Sequence, residues 1–268
     1  DFANLCDWFV DNKLSLHFGE DKTKCILFAD KNKIKRVGKL EIKYNNVEVK
    51  QHHRLTYLGA ILDETMSGID MACEIIRKIN IRLKFLHRKD QYLNYKLRRL
   101  LCNALIQPSF DYVCSSWYAN LTKRLKLRLQ ATQNKCIRFC LRLGNRTHLG
   151  YSDFKKINWL PVEDRVFQCI SAYAFKFFIK KCPAYVNDLF LPINSTIITR
   201  QNDMGLYQPY RRTEVGKNTL SYMGPRIWNK LPMQVRQCKV LNTFKHKVKD
   251  YFFDQLRQKE NNQFIYYS

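Results

Sequence analysis

Acidic residues are scarce in this 268-residue chain: 23 Asp and Glu stand against 47 Lys and Arg, a formal net charge of +24. A surface that only kept the chain in solution would mix both signs. An excess of this size repels itself in the compact state and is normally tolerated where a polyanion neutralises it. Glycine is sparse as well. The nine glycines are scattered and form no Gly-rich phosphate loop. Long apolar runs are missing too. The nearest, Val166 to Ile179, is broken by Gln168, Ser171 and Lys176, so no membrane partner is expected. No serine–histidine constellation points to nucleophilic hydrolysis, and His52-His53 beside a strand reads as surface. No stretch reads as a secretory leader, and the ten cysteines are irregularly spaced. Cys102, Cys136, Cys140 and Cys169 sit among core-type neighbours, so free thiols in an intracellular setting, nucleus or cytoplasm, are expected.

What is present argues for a folded core. Hydrophobic residues make up 46% and aromatics 13%, far from the composition of disordered chains. The length suits one large or two modest domains. Between Arg77 and Lys135 there are fourteen Lys and Arg but only two acids, Asp90 and Asp111. Half the net charge therefore falls in under a quarter of the chain, and nucleic acid is the favoured polyanion.

The hydrophobic pattern predicts an α+β, predominantly helical protein. Phe2, Leu5, Cys6, Phe9 and Leu14 recur at helical spacing. Cys25 to Phe28 reads as a short buried strand. Leu40, Ile42 and Tyr44 alternate with charged residues, as do Val47 and Val49, and Asn45-Asn46 between them makes a hairpin turn. Leu55 to Leu62 reads as one further strand bent at Gly59. From Ser67, a capping residue, an apolar stripe of Ile69, Ala72, Ile75, Ile76, Ile79, Leu83 and Leu86 marks a long helix. A second helix, Tyr95 to Gln107, would turn Leu97, Leu100, Leu101, Ala104 and Leu105 inward and restart at Pro108. A third, Thr122 to Leu143, carries Leu125, Leu129, Thr132, Cys136 and Cys140 at steps of three and four and stops at Gly144-Asn145. Further helices are expected over Asp153–Ile157, Val162–Lys181 and Thr243–Leu256. Three regions follow: 1–63, mixed; 64–150, helical; 151–268, helical.

The stretch Trp8 to Phe28, with Asn12, Leu14, Lys22, Thr23 and Phe28 in the pattern N-x-L-x-(few)-K-T-(four)-F, resembles the end of the palm of non-LTR retrotransposon reverse transcriptases of the LINE, jockey-like kind. YLGAILD (Tyr57 to Asp63) resembles their primer-grip strand. LLCNALIQPSFDYVCSSW (Leu100 to Trp117) and LQATQNKCIR (Leu129 to Arg138) resemble their helical thumb. LPVEDR (Leu160 to Arg165), CPAYVNDLF (Cys182 to Phe190) and GPRIWNKLP (Gly224 to Pro232), before a helix bearing Phe244 and Lys245, resemble the region beyond the thumb. The matches span nearly the whole chain in the family's order. The loop His17 to Asp21 is longer than the common family form. On this resemblance residues 1–63 are a remnant of a palm sheet, followed by a thumb-like unit and a helical C-terminal region. The implied activity is RNA-directed DNA polymerisation on an RNA and DNA template–primer. An intact polymerase would use two Mg²⁺ ions held by aspartates in a Tyr-x-Asp-Asp turn. No Tyr-x-Asp-Asp occurs here, and the chain begins at Asp1. The expectation is a polymerase portion starting just downstream of its metal site and inactive alone. The alternative is a basic nucleic-acid-binding protein, derived from such an element, that works without catalysis.

Within that frame Lys22 matches a lysine near the incoming nucleotide's phosphates, where it would offset negative charge or protonate pyrophosphate. Tyr57, Leu58 and Gly59 are candidates for holding the primer end, since a glycine lets backbone approach a sugar-phosphate. The helical charges Arg77, Lys78, Arg82, Lys84, Arg88, Lys89, Lys96, Arg98 and Arg99 are candidate phosphate contacts, with Lys123, Arg124, Lys126 and Arg128 a weaker second cluster. Cys136-x3-Cys140-x7-His148 has the spacing of part of a zinc knuckle. Asp153 stands where a fourth ligand would be cysteine, and both cysteines continue a helical apolar stripe, so no metal site is expected.

Overall fold

A computed structural model describes residues 1–14, 16–17, 22–44, 47–193 and 204–265. The chain is mostly helical with two small antiparallel sheets, and divides into two compact units, Asp1–Met71 and Ala72–Ser268.

In the first unit α1 (Phe2–Asp11) forms where the helical spacing predicts it and buries Cys6. No strand forms over Cys25–Phe28. Cys25 makes a single parallel bridge to Gln51 through two backbone hydrogen bonds, and no ladder extends from it. A helix that the apolar pattern does not signal follows, α2 (Lys31–Val37). It owes its start to the Asp30 carboxylate, which accepts from the backbone N–H groups of Asn32 and Lys33 at 2.9 and 3.0 Å. Gly38, at φ +68°, stops it.

The expected hairpin is present as β1 (Ile42–Tyr44) and β2 (Val47–Val49), with Ile42 opposite Val49. Its Asn45-Asn46 turn lies outside the described residues. The single strand expected over Leu55–Leu62 is instead a second hairpin, β3 (Arg54–Tyr57) and β4 (Ala60–Asp63), with Tyr57 opposite Ala60. Leu58 and Gly59 both have positive φ, 46° and 83°, as a two-residue turn between twisted strands requires. Past β4 the Asp63 carboxylate accepts from the backbone N–H groups of Ser67 and Gly68, and Ser67 Oγ accepts from Ile69 N. That arrangement leads into α3 (Ile69–Arg88).

Among the described residues of 1–71 the buried apolar side chains are only Cys6, Val49, Ala60 and Met71, while Leu5, Trp8, Val10, Phe28 and Val37 are exposed. So little buried area stabilises the unit weakly. Limited proteolysis of the whole chain should therefore cut within residues 1–71 first and leave a resistant product beginning near α3. A resistant N-terminal fragment with early cleavage between residues 123 and 178 would refute this.

The second unit is a helical assembly in which the stretches on either side of residue 150 share one core. In α3 the buried stripe runs from Ala72 through Ile75, Ile76, Ile79 and Leu83 to Leu86, whereas Ile69 is 41% exposed. A 3-10 turn at Asp90–Tyr92 leads to α4 (Tyr95–Leu105). The face expected inward is largely outward here. Leu97, Leu100 and Leu105 are exposed, and the buried positions are Arg98 and Cys102. An arginine can take the inner face because Asp90 pairs with it at 3.1 Å and its guanidinium lies over the Phe139 ring.

The chain restarts at Pro108 in α5 (Gln107–Asp111), then passes to α6 (Cys114–Trp117). The stripe of α7 (Lys123–Leu141), Leu125, Leu129, Thr132, Cys136 and Cys140, is buried throughout, and Thr122 caps it. Arg142 in left-handed conformation ends it, two residues before the expected Gly144. Then come α8 (Tyr151–Ile157) and α9 (Val162–Phe178), the latter packed against α5, α6, α7 and two later helices. Arg165 of α9 makes a bidentate pair with Asp111, both bonds 2.8 Å.

The remaining elements are α10 (Ala184–Asn187), α11 (Glu214–Lys217), α12 (Leu220–Trp228), α13 (Met233–Arg236) and α14 (Leu241–Ile265). Helices α12 and α14 close the core on α9. Between α10 and α11, positions 194–203 lie outside the described residues.

Candidate nucleic-acid interface

Helical periodicity places Asn80, Lys84 and His87 on one side of α3, and Ala131, Lys135 and Arg138 on one side of α7 beside its buried stripe. With Asp90 and Arg142 these line a groove of about 690 Å³. Lys84 and Lys135 are exposed and have no ion-pair partner among the described residues. Arg138 is held by its Nε–H, which donates to the Thr147 carbonyl at 3.0 Å. Arg142 donates to the Asp90 and Leu93 carbonyls at 3.2 and 3.4 Å. The His87 ring stands edge-on to Phe139, centroids 4.7 Å apart, so the groove floor is apolar and its walls carry the charge. Four cations face one carboxylate, Asp90, and that carboxylate is already engaged by Arg98 and Arg142 at 3.1 and 3.8 Å. Such a surface can hold phosphodiester oxygens by charge and hydrogen bonding.

Only one of the helical cations singled out from the sequence, Lys84, lines this groove. Arg77 chelates Glu74 at 2.7 and 2.8 Å, holding that carboxyl down at about 2, and Lys78 lies 3.4 Å from the same carboxylate. Arg82 donates to the Leu105 carbonyl and to Ser109 Oγ. Arg88, Lys89 and Lys96 are exposed and line no described cavity. Arg98 is withdrawn altogether. At 4% exposure and paired with Asp90 it cannot reach a phosphate without breaking the core. Arg99 is half-buried and lines a different cavity. In the second cluster Lys123, Arg124 and Arg128 are exposed, while Lys126 sits 4.9 Å over the Tyr118 ring.

Tyr57, Leu58 and Gly59 form the tip of the β3–β4 hairpin, where Leu58 is 77% exposed. The glycine there serves the turn. Lys22 is exposed in a turn, and neighbouring Thr23 donates to the His17 carbonyl. Positions 18–21 of that loop lie outside the described residues. Cys136 and Cys140 are fully buried and donate to the Thr132 and Arg98 carbonyls, whereas His148 is exposed. No group of three or more His, Cys, Asp or Glu among the described residues is placed to hold a metal ion, and every described cysteine is a free thiol.

The groove residues not singled out from the sequence are His87, Lys135, Arg138 and Arg142. For the last three the signal ran along α7 to its C-cap: positions 131, 135, 138 and 142 step by four, three and four alongside the core stripe. In QNKCIR (Gln133 to Arg138) the residues therefore divide by face. Gln133, Cys136 and Ile137 are buried, and Lys135 and Arg138 line the groove.

A smaller cavity of about 340 Å³ between α9, α12 and α14 mixes Glu163 and Asp164 with Lys126, Arg226, Lys230 and Lys259, and burial lifts the Asp164 carboxyl to about 6. Its mixed sign does not suit a polyanion. No protein-family model matches the chain, and no curated protein or solved structure was found similar to it.

Proposed function

We propose that this chain binds the sugar-phosphate backbone of a template–primer through the α3–α7 groove, as part of an RNA-directed DNA polymerase of the non-LTR retrotransposon kind. The groove carries the binding half of this reading, with four cations around one engaged carboxylate. The ordered run of family-like segments from Trp8 to Pro232 supports the polymerase half. In this reading the chain supplies grip and register, and the two-metal chemistry resides in an aspartate site this sequence does not contain. Phosphate contacts of this kind position a duplex without selecting its sequence.

One observation favours a second reading, a binding protein without catalysis. Every residue of the groove falls within the unit Ala72–Ser268, so the grip does not need residues 1–71.

The test is binding of the whole chain to an RNA–DNA primer–template across a salt series, with primer extension assayed in parallel. Binding should weaken steeply as salt rises, depend little on sequence, and be accompanied by no extension in Mg²⁺ and deoxynucleotides. Absence of binding at low salt would remove the reading. Extension by this chain alone would overturn the division between grip and chemistry.

A further inference from the structure

Another cavity in residues 72–268, about 240 Å³, shares no lining residue with the groove. It is lined by Arg99 and Asn103 of α4, Gln107 of α5, the α8–α9 connection at Asn158–Leu160, Arg165 of α9 and Lys249 of α14. Arg165 brings no spare charge, because Asp111 holds it in a bidentate pair and Gln168 accepts its third donor. Arg99 and Lys249 do. Lys249 Nζ donates to the Asn158 carbonyl at 2.6 Å, leaving two further donors on the ammonium. Asn103 accepts from Trp159 Nε1 at 2.6 Å, so its carbonyl is engaged and its amide N–H groups are the donors it can offer a ligand.

Two buried polar atoms of this lining have no partner: the Arg99 Nε–H, a donor, and Gln107 Oε1, an acceptor. The Gln107 amide cannot turn round to cure this, because its NH₂ donates to Asp111. Leaving such atoms buried without partners is costly. Together they call for an acceptor at Arg99 and a donor at Gln107, and an oxyanion that keeps one O–H meets both while matching the charge of Arg99 and Lys249.

We propose that this pocket binds a phosphate monoester, its anionic oxygens taken by Arg99 and Lys249 and its protonated oxygen donating to Gln107. The cavity falls below the roughly 300–1,000 Å³ of sites for drug-sized molecules, so it takes the phosphate group and leaves the rest of the ligand outside. The Lys249 ammonium is pulled down to about 8 by burial first, then by repulsion from Arg165 on α9 and Lys155 on α8. Asp250 on its own helix offsets this in part, and Arg99 on α4 adds to the repulsion. A bound anion would relieve that crowding.

The monoester could be free phosphate or the 5′ end of a nucleic-acid strand, and the experiment separates the two. Inorganic phosphate is titrated calorimetrically into the whole chain, with sodium chloride holding ionic strength constant. Saturable uptake is expected, weakened about tenfold or more by Arg99→Gln and by Lys249→Gln, the loss of one charge-assisted hydrogen bond. Arg99→Lys should restore part of it, and a Lys84→Gln, Lys135→Gln, Arg138→Gln variant should bind phosphate as the parent does. A 5′-phosphorylated strand is then compared with its 5′-hydroxyl counterpart at equal salt. A preference that disappears in Arg99→Gln assigns the site to strand ends, whereas phosphate uptake without it assigns the site to free phosphate compounds. Circular dichroism monitors folding, and if one variant fails to fold the other and Arg99→Lys carry the test. No saturable uptake, or uptake unchanged in the folded variants, overturns the proposal.

Discussion

Changing Lys84, Lys135 and Arg138 together to glutamine should flatten the slope of log affinity against log salt for duplex DNA by roughly 2.7 units, at about 0.9 per phosphate contact. The three side chains line the same groove from α3 and α7, and glutamine keeps helix propensity close to that of lysine and arginine. Each removes one released counterion, so the change appears in the slope as well as in affinity at one salt concentration. The paired variant Arg77→Gln, Lys78→Gln is the control. Those cations sit within 2.7 and 3.4 Å of the Glu74 carboxylate, and removing both with their shared acid in place leaves the groove untouched. Its slope should change by well under one unit for each charge removed. A large effect of the control with none from the groove variant would move the binding surface to the outer face of α3.

The difference between these two variants shows what the sequence could and could not reveal. Composition and local charge density already pointed to a polyanion. Assigning the charges to a surface needed their partners. Glu74 is three and four residues from Arg77 and Lys78, a pairing readable from helical spacing. That Arg98 turns inward was not readable, because a charged residue on an inner face depends on an acid eight residues earlier and on an aromatic ring from another helix. The same holds for α4 as a whole, whose Leu97 and Leu100 read as core and are exposed. The strong stripes of α3 and α7 were legible because apolar residues recur there over five turns or so. The short first unit was less so. Helix α2 rests on Asp30 and Gly38, end signals flanking a segment with little apolar content. The hairpin turn at Leu58-Gly59 puts a leucine at positive φ, which sequence rules disfavour.

The segment GPRIWNKLP is explained by packing, and that explanation has a measurable consequence. A Cβ on Gly224 would lie 2.4 Å from Cε1 of buried Phe190, so only glycine lets α12 come this close. Four residues on, Trp228 is fully buried. It stacks on Phe178 with centroids 4.9 Å apart, leans on Phe244 at 5.7 Å, and donates through Nε1 to the Met204 carbonyl at 2.6 Å. Phe244 in turn stacks on Phe175 of α9 at 4.4 Å, so one indole links α9, α12 and α14. Asn229 beside it exchanges two hydrogen bonds with the Leu206 backbone, 2.7 and 3.0 Å, pinning the incoming chain as a neighbouring strand would.

Trp228→Ala should therefore lower stability by about 3–5 kcal/mol, the usual cost of emptying a large aromatic site. In a unit of this size that corresponds to a fall in Tm on the order of 10 °C. Trp228→Phe keeps most of the stack but deprives the Met204 carbonyl of its donor, so a smaller loss of about 1–3 kcal/mol is expected. Thermal unfolding followed by near-ultraviolet circular dichroism separates the two, since the near-ultraviolet band reports the packed aromatics of α9, α12 and α14. If Trp228→Ala unfolded within a degree or two of the parent, the three helices would not share the core described here. The groove on α3 and α7 would then have to be supported some other way.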